Sequence, residues 1–143
     1  MMWKEKYRLG VGNIDAQHEE LFRRVSEFVL ALRQEGAWEE KLPKVKETLA
    51  FMQDYVITHF ADEEAYQREM QYPGYEQHRR IHEDFKAEIH EFARRFEEEG
   101  YLEDTVQQFA GKLLAWLINH VAATDQQIAE FVSGRGRSQH NES

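Results

Sequence analysis

The chain has no cysteine, only two prolines, and no apolar run near the roughly 20 residues that a membrane-crossing helix needs. Each absence excludes something. Without thiols there are no disulfides and no thiolate ligands, so any metal would have to be held by nitrogen and oxygen. Positive charge is the scarcer sign, with 18 basic against 27 acidic residues and a formal net charge of −9. Phosphate backbones and anionic head groups repel such a surface, so neither nucleic acid nor a membrane is an expected partner. The N-terminal Met1-Met2-Trp3-Lys4-Glu5-Lys6 is charged and lacks the apolar centre of a secretion signal. The expected location is therefore cytoplasmic.

What is present reads as one ordinary domain. The 143 residues are 41% hydrophobic and 31% charged, which is globular composition and enough chain for a real core. Residues 1–14 carry Trp3, Tyr7, Gly10 and Gly12 and are expected to form an ordered arm. Four helical stretches follow. The first runs from about Asp15, the expected N-cap, to Glu35, and Gly36 ends it. The second opens near Pro43, which a first turn accepts, and stops before Tyr72-Pro73-Gly74. The third ends at Gly100, and the fourth carries Val106 through Phe131. Each has an apolar stripe of 3.6-type spacing, and the linkers are short. Sequential helices joined by short linkers are antiparallel neighbours, so the expected fold is an all-α, up-down-up-down four-helix bundle over residues 1–132. The polar, glycine-bearing stretch 133–143 is expected to be disordered.

Polar residues continue these stripes. The second reads Val45, Leu49, Met52, Val56, then His59 and Glu63. The third begins with His78 and His82 before Phe85, Ile89, Phe92 and Phe96. The fourth runs Val106, Phe109, Leu113, Trp116, His120, and the first begins with His18 ahead of Leu21 and Phe22. Taken singly, His18 would be a hydrogen-bonded core histidine and His59 with Glu63 an ordinary i,i+4 pair. Together they put five of the seven histidines at one level of a core, where unpartnered polar groups are costly. A metal centre is the simplest compensation. His78 and His82 carry that reading best, since i,i+4 spacing stacks two imidazoles on one helix face. The step from His120 to Asp125 fits least well: five residues turn about 140° around an ideal α-helix. A carboxylate with reach, or a π-type widening, would be needed to bring both inward.

At these residues the chain resembles the hemerythrin family, most closely its bacterial members. Trp3-x3-Tyr7-x-Leu9-Gly10-Val11 leading to Ile14-Asp15-x-Gln17-His18 is similar to the family's opening motif. His59-Phe60-x-x-Glu63-Glu64, then Tyr72-Pro73, then His78-x3-His82-x-x-Phe85 resemble its middle, and Trp116-Leu117-x-x-His120-x4-Asp125 its end. The resemblance implies two iron ions joined by an oxo or hydroxo bridge. One would take His78, His82 and His120, the other His18 and His59, with Glu63 and Asp125 bridging. It implies reversible dioxygen binding for storage, delivery or sensing, in an apolar pocket of Leu21, Phe60, Trp116, Leu117 and Val121. A monomer is expected, binding dioxygen and serving an oxygen-using enzyme or a signalling partner. Two departures stand out: Ile128 replaces a frequent tyrosine, and Gln67 replaces a frequent methionine. Neither is a ligand position, so both are expected to affect packing only.

Ligand counting agrees with that division. Three histidines, two carboxylate oxygens and a shared oxygen give one iron six ligands; two histidines with the same bridges give the other five. One position stays open. Paired zinc ions would each prefer four ligands, which suits seven shared ligands poorly. Asp15, Gln17, Glu64 and Gln126 lie near enough in sequence to hold the outer imidazole nitrogens. The alternative function is a di-iron oxidoreductase with peroxidase or nitric-oxide chemistry on the same centre. The Glu-x-x-His motifs of ferritin-like oxidases are absent from the chain. A binding protein rather than an enzyme is expected.

Overall fold

A computed structural model describes residues 12–124, 127–128 and 130–131. Residues 1–11 of the expected arm, Asp125, Gln126, Ala129 and the tail from residue 132 lie outside the described residues. Four helices make up the fold: α1 (Gly12–Arg33), α2 (Trp38–Glu69), α3 (Tyr75–Glu99) and α4 (Glu103–Trp116). A π-helical segment, Leu117–Thr124, continues α4. The links span only 34–37, 70–74 and 100–102, so successive helices reverse direction. α1 packs on α2 and α4, and α3 packs on the same two. This is the expected antiparallel four-helix bundle.

The stripes explain the packing. Phe28, Val45, Met52, Ile89, Val106 and Phe109 are fully buried where the four helices face one another. Burying each such side chain contributes roughly 1.5–3 kcal/mol. At the end of α3, Gly100 takes φ 82°, which a side chain would resist, and its N–H reaches back to the Phe96 carbonyl.

Three local expectations need correction. Asp15 is not an N-cap: α1 already begins at Gly12, and Asp15 lies buried in its first turn, where a carboxylate complements the positive end of the helix dipole. The stretch 12–14, expected in the arm, is thus helical, and Ile14 packs with Ile128 beside Tyr66 and Tyr72. Nor does α2 open at Pro43. It opens at Trp38, whose indole N–H donates to the Tyr101 carbonyl at 3.0 Å and anchors the helix start to the far link. Proline's missing N–H leaves only the carbonyl of exposed Glu39 for water to satisfy. The fourth stretch widens after Trp116, which is one of the two ways the step from His120 to Asp125 was expected to be met.

Candidate metal centre

The polar ends of the stripes meet in one layer. His18 comes from α1, His59 and Glu63 from α2, His78 and His82 from α3, and His120 from the π-helical segment. All six are buried, with Glu63, His18 and His82 at 0% exposure. Asp125, the seventh expected ligand, lies outside the described residues.

Glu63 stands at the middle. Its Oε2 lies 3.1 Å from His18 Nε2 and 2.9 Å from His59 Nε2. Its Oε1 lies 3.2 Å from His78 Nε2, 3.4 Å from His82 Nε2 and 3.9 Å from His120 Nε2. One carboxylate therefore divides five imidazoles into a group of two and a group of three. Each group with Glu63 brings its ligand atoms close enough to hold a cation. Neither sequence spacing nor composition contains that division; it arises from how α1 and α3 flank α2.

The electrostatics are those of a fully buried carboxylate. Burial pushes the Glu63 carboxyl up, but the imidazoles of His120, His18, His59 and His82 outweigh it and hold it well below the usual range. Burial likewise disfavours the His82 imidazolium, while Glu63 and Glu64 outweigh burial and raise it above the ordinary imidazole value. Even so, His82 Nε2 and Glu63 Oε1 are buried without a hydrogen bond between them. Polar atoms left in that condition are expensive, and a cation between them would satisfy both.

The outer nitrogens fit a cation as well. Gln17 Oε1 lies 2.6 Å from His59 Nδ1, and Glu64 Oε2 lies 2.8 Å from His82 Nδ1. Each can accept the Nδ1–H, which leaves the Nε2 lone pair aimed inward as a ligand. Gln17 is itself clamped, its Nε2 donating to Asp62 Oδ2 at 2.8 Å. Of the four outer partners expected from sequence, these two are in place; Asp15 is buried nearby, and Gln126 lies outside the described residues. The donor set is imidazole nitrogen and carboxylate oxygen, which suits iron and its first-row neighbours.

Sequence reasoning missed two residues. Gln67 is fully buried, and its amide sits 2.6 Å from His78 Nδ1. Its expected effect on packing alone is thus incomplete: it touches the centre's own ligand. The signal was available, since His59, Glu63 and Gln67 follow one another at i,i+4 on α2. Tyr55 is the other, its ring stacked on His59 at 4.6 Å and 15°. The other departure, Ile128, is fully buried packing, as expected.

Leu21, Phe60, Trp116, Leu117 and Val121, the expected pocket, are all buried. Phe60 stacks on His82 at 3.9 Å and Trp116 on His120 at 3.8 Å, so two ligand rings are held by aromatic faces. A groove of about 340 Å³ runs from rim residues Asp84, Glu88 and Lys112 past Phe85 and Trp116 to His120. Another of about 250 Å³ reaches Gln17 and His59. No described helix is long and apolar enough to cross a membrane.

Comparison with known proteins agrees with this geometry. Residues 9–132 match the family described as the hemerythrin HHE cation binding domain. The chain is 31% identical to a bacteriohemerythrin of Stenotrophomonas maltophilia over 132 residues, covering 92% of this chain and 81% of that protein. It is 24% identical to a bacteriohemerythrin of Clostridium acetobutylicum, covering 90% and 98% of the two chains. A myohemerythrin of Riftia pachyptila is 27% identical, covering 87% of each.

Proposed function

Because this chain belongs to the hemerythrin family, we propose that its bundle holds two iron ions and binds dioxygen reversibly, for storage, delivery or sensing. The observation that carries the reading is the split around Glu63. His78, His82 and His120 face one carboxylate oxygen, and His18 and His59 face the other. Three histidines would hold one ion and two the other, so dioxygen would have room beside His18 and His59. Two iron ions, when bound, supply the electrons that hold dioxygen reversibly.

The chain's own residues do the rest. Glu63 balances part of the positive charge, and Asp125 is proposed as the second bridge. The π-helical segment that carries His120 supports that role, because i→i+5 hydrogen bonding brings residues five apart towards one side, and Asp125 follows His120 by five in the sequence. Gln17 and Glu64 orient His59 and His82 through their outer nitrogens. Leu21, Phe60, Leu117 and Val121 exclude water and offer no group to deliver a proton, which favours release of dioxygen over its reduction. Such a site binds its ligand without turning it over.

Metal analysis with visible spectra of the reduced and aerobic protein tests this. Two irons per chain, with colour that returns on each cycle of oxygen, is the expected result. Zinc or no metal overturns it. Sustained consumption of oxygen would instead favour oxidoreductase chemistry on the same centre.

A further inference from the structure

We propose that Gln67 is the positioning residue of His78, and that its amide turns over when the site takes up metal. This deepens the metal-centre reading and rests on it. Three outer nitrogens have identified partners, and the three partners differ. Glu64 only accepts, so His82 keeps its hydrogen on Nδ1. Gln17 offers its oxygen to His59, and Asp62 clamps the nitrogen end so that the amide stays that way. Gln67 has no such clamp. Its Nε2 lies 2.6 Å from His78 Nδ1, while its Oε1 is buried with no hydrogen bond.

That arrangement suits the metal-free protein. An amide N–H donating to Nδ1 places the ring hydrogen of His78 on Nε2, which faces Glu63 Oε1 at 3.2 Å. A cation at Nε2 displaces that hydrogen, and a neutral imidazole then carries it on Nδ1. Two donors would now face each other at hydrogen-bond distance. A half-turn of the amide exchanges its nearly equal-sized ends and puts the oxygen on Nδ1–H. Gln67 is thereby an adaptable partner at one ligand of the three-histidine group, beside the carboxylate partner at another.

Two variants and one metal-free measurement test this. In wild-type protein without metal, nitrogen-15 NMR should find His78 Nδ1 without hydrogen, and in Gln67→Glu it should find Nδ1–H. With Fe(II) as probe, chelator competition should show Gln67→Met holding one ion on the order of tenfold more weakly, the size expected for losing an outer partner. Gln67→Glu should retain affinity and shift the midpoint potential of the loaded centre to a more negative value, because a charged acceptor strengthens the imidazole as a donor. A merely structural role would leave potential and tautomer unmoved. Wild-type affinity and potential in both variants, or an Nδ1–H tautomer in the metal-free wild type, would overturn the proposal. If Gln67→Met fails to fold, Gln67→Glu and the wild-type tautomer decide. Failure of the wild type to bind Fe(II) would overturn the metal-centre reading and the metal-linked turn with it, leaving the metal-free tautomer to judge the pairing alone.

Discussion

At one end of the bundle Phe28, Phe92 and Phe96 surround Phe109, with ring centroids between 5.3 and 5.7 Å away. At the other, five imidazoles surround Glu63 at distances from 2.9 to 3.9 Å. α1 and α3 supply both layers, and both are buried. Yet the aromatic layer gains by leaving water, whereas the imidazole layer loses hydration and must recover it from something else. Burial is therefore not one quantity. The difference teaches where this molecule depends on a ligand and where it does not.

The sharpest way to break the comparison is at its polar centre. Glu63→Gln removes the carboxylate shared by both groups, so metal content should fall from two ions to none rather than to one, as elemental analysis of the purified variant will read. Next in size, Phe109→Ala should lower stability by about 3–5 kcal/mol. Denaturant titration should find that loss equal with and without metal, because the aromatic layer has no part in binding it. Stripping metal from the wild type comes third. Bound ions at one hundred times their dissociation constant add about 2.7 kcal/mol, which removal forfeits. Hydrogen exchange should quicken around His59–Gln67 and His78–His82 and change little around Phe92 and Phe109. The smallest effect belongs to His90, an exposed histidine on α3. Its replacement by alanine should alter stability by no more than about 0.5 kcal/mol and leave metal content intact, in contrast to His82 two turns away.

Some features were legible along the chain because the physics behind them is local. The i,i+4 pairs His59/Glu63 and His78/His82 follow from helix pitch alone, and so does their continuity with Val56 and Phe85. Gly100 stops α3 for an equally local reason, since only its positive φ turns the chain there. Local rules also misled. Asp15 has the chemistry of an N-cap, and Pro43 that of a first turn, but both helices begin earlier. At Trp38 the cause is a bond to Tyr101, 63 residues away, which no window of sequence contains. Gln67 is instructive in a different way. Its position on the stripe was visible, but its meaning required His78, which α3 brings alongside.

The bundle, the helix faces and the level at which the histidines collect follow from the order of residues alone, because periodicity and breakers act within one helix. Which carboxylate oxygen faces which imidazoles, and which side chains hold the outer nitrogens, came from the packing of one helix on another. Those relations join residues as far apart as His18 and Glu63, whose 3.1 Å separation exists only once α1 and α2 have packed. The irregular step from His120 lies between the two cases. Its spacing called for a carboxylate with reach or a widened helix, and the backbone after Trp116 is widened.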